Sequence, residues 1–307
     1  MKRASIDVGS NTILLLVGEY DKRWISNTTY CHVTGLGKDI DKTKSFASGP
    51  MKLSFAAFED YSAILKKNLI TPQNVVVTAT EASRVVTNAD EFFSSAKARF
   101  GFDTILINSN GEAYYTALGV VSAASVNMPS SLTILDIGGA STELMQVETE
   151  PQFKVCNSMS LPIGSVRGTD WMREGQFEAN IAQVFKSYDV SRYKTKHLVC
   201  VAGSMTAIGA MLKKLTAYSD ELVQRHVLSF SDLVKLYEQT QRLKIPQLLA
   251  QFPFLGKRAE TIRAGLKVGI AIGQQLGVET FEISTFGLRH GTLMAGTIEE
   301  EYVIKRF

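Results

Sequence analysis

A glycine turn that occurs twice constrains this chain more than any other feature. Leu132–Val147 reads LTILDIGGASTELMQV, an apolar run ending on Asp136, then Gly138, Gly139, Ala140 and Ser141, then a second apolar run carrying Glu143. Apolar and β-branched residues on both sides of a glycine cluster predict a strand–turn–strand hairpin. Near the start, Ile6-Asp7-Val8-Gly9-Ser10-Asn11-Thr12 repeats the order apolar, Asp, apolar, Gly, small hydroxyl or amide. Such a turn exposes backbone N–H groups that no side chain obstructs, so it suits an anionic oxygen. Asp136 and Glu143 beside it are hard oxygen donors that could hold a divalent cation against that anion.

The repetition extends beyond the hairpins. Val75–Val77 reads as a buried strand followed by Thr78–Arg84, and His197–Ala202 as another followed by Gly203-Ser204-Met205-Thr206 and a helix to Lys213. Two halves, each with a glycine hairpin and a later strand–turn–helix, predict a duplicated α/β fold. Strands are also expected over Trp24–Val33, Thr104–Ile107, Lys154–Met159 and Phe281–Ser284. Helical spacing predicts helices over Met51–Lys67, from Asn88 to Gly101, and from Glu112 with Ala113, Ala117, Val120, Val121 and Ala124 on one face. Further helices are expected over 176–188, 230–243, 247–252 and 259–276, and a final one runs from about Leu288 to Glu301. Thr34–Pro50, rich in Gly, Lys, Asp and Ser without periodicity, reads as an exposed loop, and Met128–Ser131 closes the first half.

Composition narrows the classes. At 307 residues the chain is long enough for two domains, and 45% apolar with 21% charged residues is ordinary for a globular protein. A net charge of +3 is too mild to imply nucleic-acid binding. Three scattered cysteines, Cys31, Cys156 and Cys200, form neither a disulfide framework nor a zinc pattern. Asp7 and Ser10–Thr12 break the apolar run at the start before it reaches signal-peptide length, and no stretch approaches the roughly 20 apolar residues of a membrane span. These features predict a cytoplasmic protein without a membrane partner.

The motifs IDVGSNT, ATEASR, NGEA, LDIGGASTEL, PIGSVR, VAGSMTAIGAM and FGLRHG, in this order from Ile6 to about Met294, resemble the exopolyphosphatase/guanosine pentaphosphate phosphohydrolase family, in its short two-domain form. The resemblance implies a duplicated actin-like (ribonuclease H-like) α/β fold with the active site in an interdomain cleft. The first domain is expected over 1–125 and the second over 126–307, with a terminal helix at about 290–307 free to pack back on the first. The implied activity is hydrolysis of the terminal phosphoryl group of inorganic polyphosphate or of guanosine pentaphosphate, with Mg²⁺, in the setting of the stringent response. A binding protein for either ligand with little turnover is the alternative of another class. Homodimers are common in the family.

Roles follow residue by residue. Glu112 falls on the second acidic residue of the family's Glu-Glu-Ala segment, the general base that activates water. The first of that pair is Gly111 here. Position alone also fits Glu112 as an acidic residue favoured at a helix N-terminus. Asp136 and Glu143 match the Mg²⁺ carboxylates, with Asp7 assisting from the facing hairpin, although Asp7 also suits an Asx-type turn. Gly138, Gly139, Ala140 and Ser141 would bind phosphate, with Ala140 standing where the family usually has Gly. Gly9, Ser10, Asn11, Thr12, Gly203 and Ser204 are further phosphate contacts. Arg84 matches an arginine that contacts the phosphoryl group, and its fork suits phosphate. Arg167 reads equally as a cleft residue or a structural partner. His290 replaces the Glu of a family Leu-Arg-Glu-Gly and reads as a capping or surface residue. Candidates for a basic track for a long polyanion are Arg192, Lys194, Lys196 and His197, and Lys213 with Lys214, although such charge runs usually read as solvated surface.

Overall fold

The computed structural model describes residues 2–123 and 129–307. The chain divides into two compact units, Met1–Met128 with Phe286–Phe307, and Pro129–Thr285. The boundary expected between residues 125 and 126, Ala124 on its helix face and Met128 as a closing residue lie outside the described residues.

The first unit opens as an antiparallel meander, β1 (Lys2–Val8), β2 (Thr12–Asp21) and β3 (Arg23–Val33). A short α1 (Ile40–Thr43) and α2 (Ser48–Lys67) return the chain to β4 (Val75–Ala79), parallel to β1. In α2 the buried Ala57, Phe58, Tyr61 and Leu65 share one face, as helical spacing requires, and the Tyr61 hydroxyl donates to Ile13 O at 2.6 Å. The brief α3 (Glu81–Val85) and α4 (Ala89–Phe100) lead to β5 (Thr104–Ile107), parallel to β4, and α5 (Ser109–Ser122) follows. Gly101, at φ 73°, stops α4 in the left-handed conformation that glycine adopts without strain.

The second unit repeats the plan. β6 (Ser131–Ile137), β7 (Thr142–Glu148) and β8 (Lys154–Leu161) form its meander. α6 (Ser165–Arg173) and α7 (Phe177–Ser187) cross to β9 (His197–Val201), parallel to β6. Next come α8 (Ala202–Leu212), α9 (Asp220–Val223), β10 (Val227–Ser229), α10 (Phe230–Thr240), α11 (Ile245–Gln251), α12 (Ile262–Leu276) and β11 (Thr280–Ile283), parallel to β9. Its core joins Leu135 and Leu144 of the meander to Met205 of α8, Leu266 of α12 and Phe281 of β11, all completely buried.

The chain then returns to the first unit as α13 (Leu288–Ala295) and β12 (Val303–Arg306), which pairs antiparallel with β5. The sheets read β12-β5-β4-β1-β2-β3 and β10-β11-β9-β6-β7-β8. Both run antiparallel edge, two parallel strands, the hairpin strand, then its two antiparallel partners. This is the duplicated actin-like α/β fold.

Local details differ from the sequence expectation for physical reasons. Thr34–Pro50 is not an exposed loop. Leu36, Ile40 and Phe46 are buried, at no regular spacing, and the segment is tied down by backbone hydrogen bonds and the Asn88 side chain. α5 begins three residues before Glu112, because Asn108 caps it by accepting from the Gly111 N–H at 2.8 Å. α6 escapes sequence detection since SVRGTDWMR carries no apolar period. The final helix ends at Gly296 (φ 71°), well short of Glu301, and the residues beyond form β12.

Candidate active site

In both units the loops that follow the parallel strands collect the polar residues, the usual ligand-binding end of such sheets. In the second unit, Asp136 and Glu143 stand directly opposite each other on β6 and β7, and Gly138 N–H donates to Ser141 O at 3.0 Å to close the turn. Directly opposed residues project to the same face, with Cβ atoms roughly 4.5–5.5 Å apart. Glu143 is 2% exposed, and its Oε1 accepts from Ser160 Oγ on β8 at 2.8 Å.

The first turn of α6 holds this hairpin from behind. Ser165 N–H donates to Gly138 O at 2.9 Å, and Val166 and Arg167 N–H donate to Gly139 O at 2.8 and 3.2 Å. The buried Arg167 guanidinium donates to Ala140 O, so Arg167 braces the turn. In a trans peptide the C=O and the next N–H point in opposite directions. Fixing three consecutive carbonyls toward α6 therefore aims the N–H groups of Gly139, Ala140 and Ser141 the other way, as an anion cradle requires. A Cβ on Gly164 would lie 2.5 Å from Gly139, so only glycine permits this seat. Ala140 does not adopt a positive φ, and its methyl is accommodated.

The first unit uses the same device with another support. Asp7 faces Leu14 where the second hairpin has Asp136 opposite Glu143, and Gly9 N–H donates to Thr12 O at 3.0 Å. The backbone of 34–37 replaces the helix: Gly37 N–H donates to Ser10 O at 2.7 Å, and Thr34 and Gly35 N–H donate to Asn11 O at 3.0 Å. Asn11 and Thr12 N–H are thereby turned away from that segment. Asp7 Oδ1 is shut off from solvent without a hydrogen-bond partner. Burial chiefly, and then the negative charge of Glu112, push its pKa up to about 7, against the pull of Arg289.

Glu112 lies in the first turn of α5, 8% exposed. Its Oε2 accepts from Arg84 Nη2 at 2.8 Å. Burial raises its pKa, Arg84 lowers it, and Glu81 raises it again. Arg84 is anchored elsewhere as well, donating from Nε and Nη2 to Glu81 Oε2 at 3.1 and 3.0 Å and from Nη1 to Ile107 O at 2.8 Å. Its position is that of a clamp on Glu112. α5 is fixed in turn by α13, since a Cβ on Gly291 would fall 1.9 Å from Tyr115 O and one on Gly119 2.1 Å from Gly287 O.

Gly203 and Ser204 open α8 behind Ala202, whose φ of 66° is unusual for a non-glycine residue. The Arg258 guanidinium lies across this turn, 2.5 Å from where a Gly203 Cβ would stand. Sequence reasoning missed Arg258, about 55 residues away along the chain, and only the glycine at 203 hinted that something approaches closely. The expected basic track is not at this end. Lys196 and His197 stand at the start of β9, roughly 13 Å at strand rise from its other end at Val201, and pair with Glu279 at 2.6 Å and Glu282 at 3.2 Å. Arg192 donates to Asn157 at 3.2 Å. Lys213 and Lys214 lie beyond the far end of α8.

With this geometry in view, the similarities to known proteins become specific. Residues 32–298 match the model of the Ppx/GppA phosphatase family. The chain belongs to that family. It is 26% identical over 250 residues to a bifunctional 3-dehydroquinate synthase/phosphatase of Fusobacterium nucleatum, covering 75% of this chain and 37% of that protein. Exopolyphosphatase 2 of Mycobacterium tuberculosis is 24% identical, covering 95% of this chain and 97% of the relative. A guanosine-5'-triphosphate,3'-diphosphate pyrophosphatase of Aeromonas salmonicida is 26% identical, covering 94% of this chain and 58% of the relative. The chain thus spans little more than a third of the first relative and somewhat over half of the third. The crystal structure of an exopolyphosphatase-like protein superposes with a TM-score of 0.85 at 23% identity, covering 95% of this chain and 96% of that one, and shows the same fold.

Two departures from the family's residues have structural partners. A Cβ on Gly111 would lie 2.6 Å from Tyr302 Cβ, so a larger residue there would displace the segment leading into β12. His290 is a buried cap and not a surface residue. Its Nδ1 accepts from Gly287 N–H at 3.3 Å, its ring stacks on Phe286 at 4.1 Å, and burial, then Arg289, hold its pKa well below 6.5.

Proposed function

We propose that this protein is an exopolyphosphatase, a phosphoric anhydride hydrolase that removes the terminal phosphoryl group of inorganic polyphosphate with Glu112 as general base. The observation that carries the reading is Glu112 itself, a buried carboxylate with a raised pKa, held at 2.8 Å by an arginine that is itself anchored. A raised pKa strengthens the carboxylate as a proton acceptor near neutral pH. In the reaction the water oxygen bonds to the terminal phosphorus, the bridging P–O bond breaks, and the proton from water passes to Glu112. The N–H groups of Gly139, Ala140 and Ser141, those of Asn11 and Thr12, and the turn at Gly203 and Ser204 under Arg258 would hold phosphate oxygens.

Mg²⁺ fits the donors present. Asp136 and Glu143 of the second unit would hold it, and Asp7 is a separate oxygen donor in the first unit. The solvent-free, unpartnered Asp7 Oδ1 is a site where a cation would relieve a buried charge. Among the described residues no three His, Cys, Asp or Glu side chains form a metal-holding group. Mg²⁺ usually takes one or two carboxylates and keeps water and phosphate for the remainder. Bound there, it would neutralise charge on the phosphoryl group. The three cysteines are free thiols, which suits a reducing cytoplasm, and no helix among the described residues is long and apolar enough to cross a membrane.

Hydrolysis of guanosine pentaphosphate is the second reading, favoured by the Aeromonas relative that matches 94% of this chain. Phosphate release from each substrate with Mg²⁺ separates them. The proposal expects the larger kcat/KM on polyphosphate. A larger value on guanosine pentaphosphate selects the second reading, and binding of either without phosphate release means a binding protein.

A further inference from the structure

We propose that Glu81 is a positioning residue for the hydrolytic step, acting on the base Glu112 through Arg84; the inference rests on the reading of Glu112 given above. Glu81 is the first residue of α3, and Arg84 lies one turn later. A single carboxylate oxygen, Glu81 Oε2, takes both the Nε and the Nη2 proton of Arg84, at 3.1 and 3.0 Å. On the other side Nη1 donates to Ile107 O at 2.8 Å, and Ile107 ends the strand that leads directly into the helix of Glu112. A planar guanidinium held at both edges cannot rotate, and the second Nη2 proton is thereby directed at Glu112 Oε2, 2.8 Å away.

Charge gives the arrangement a second consequence. An arginine alone beside a carboxylate favours its ionised form and makes it a poorer proton acceptor. Here one cation is shared by two carboxylates, so Glu81 offsets part of the pull of Arg84 on Glu112. The three side chains are only 11–21% exposed, so solvent screens these interactions weakly. Glu81 bonds to Arg84 and Arg84 to Glu112, so the effect of Glu81 belongs on kcat and not on KM.

The test is steady-state phosphate release from polyphosphate with Mg²⁺ for the parent, Glu81→Ala, Glu81→Gln, Arg84→Lys and the Glu81→Ala/Arg84→Lys pair, with Glu112→Gln as reference. Glu81→Ala should lower kcat by about tenfold with KM within about twofold of the parent. Glu81→Gln, which keeps an acceptor and loses the charge, should recover part of that loss. In the Arg84→Lys background the effect of Glu81→Ala should shrink below about twofold, because coupled residues are not additive. Unchanged kcat in Glu81→Ala, or a loss confined to KM, overturns the inference while a dead Glu112→Gln leaves the base intact. An undiminished Glu112→Gln overturns the base assignment and this inference together. A Glu81→Ala protein that fails to fold moves the decision to Glu81→Gln, where kcat equal to the parent's overturns the charge argument.

Discussion

Hairpins Gly9–Thr12 and Gly138–Ser141 close with the same bond, a glycine N–H to a carbonyl three residues on, at 3.0 Å in each. They differ in what stands behind and beside them. In the second unit a helix N-terminus and Arg167 fix three carbonyls, and Asp136 has a carboxylate directly opposite. In the first, a glycine-rich segment fixes two carbonyls and Asp7 faces Leu14. The first unit instead gathers its charge on the helices that follow β4 and β5, with Glu81, Arg84 and Glu112 joined by hydrogen bonds. One backbone pattern has thus been furnished twice, as a turn beside a carboxylate pair and as a turn whose Asp7 feels the charge of Glu112. The lesson is that in a duplicated fold the backbone repeats where the side chains do not.

That contrast can be broken at several points. The largest effect should come from Asp7, whose pKa is raised to about 7 while an unfolded Asp lies near 3.8. The folded state binds the proton more tightly, so this group's stabilisation is complete below pH 4 and is lost as pH rises through 7. A full shift of this size corresponds to about 4 kcal/mol. In chelator-treated buffer, Asp7→Asn should gain stability over the parent between pH 4.5 and 8 in urea denaturation. Parallel pH curves for the two proteins would mean that Asp7 is not the strained carboxylate described. Adding Mg²⁺ should narrow the gap at pH 8 by stabilising the parent.

Next is Gly164→Ala, whose Cβ would meet Gly139 backbone at 2.5 Å. It should destabilise by roughly 1–3 kcal/mol and raise KM as the cradle loses its backing. Unchanged melting temperature and KM would show that α6 does not support the hairpin. Gly37→Ala is the matching change in the first unit, where the Cβ would meet Ser10 Cβ at 2.7 Å. Only that one atom lies closer than 3.0 Å, against three backbone atoms at Gly164, so the loss should be smaller, about 1 kcal/mol. If it equals or exceeds that of Gly164→Ala, the two supports are equally stiff and the contrast fails.

The sequence made the duplication legible because hairpin chemistry is local: Asp, Gly and small residues between apolar runs specify a turn whatever surrounds them. The place of Glu112 in the first turn of a helix was legible for a similar reason, since helix starts have local signals. Supports of the hairpins were not. Residues 34–37 act through backbone N–H groups, and Gly35 and Gly37 do not say which carbonyls those groups meet; α6 holds the hairpin through the N–H groups of its first turn, which no side-chain pattern reports. Arg258 and Arg167 reach their turns across the fold, and Glu81 sits in plain view in ATEASR, but its link to Glu112 exists only once β4 and β5 lie side by side. The charge run at Arg192–His197 was legible only as a polyanion track or as solvated surface, because adjacency in sequence does not say at which end of a strand a residue stands.

The central claim, that the base and the phosphate cradle are separate parts of one hydrolase, is tested most directly with Glu112→Gln on polyphosphate in Mg²⁺. The variant should bind polyphosphate with Kd within about threefold of the parent while phosphate release falls by roughly 10²–10⁴-fold. Turnover within about tenfold of the parent, or loss of binding in step with turnover, would contradict the account.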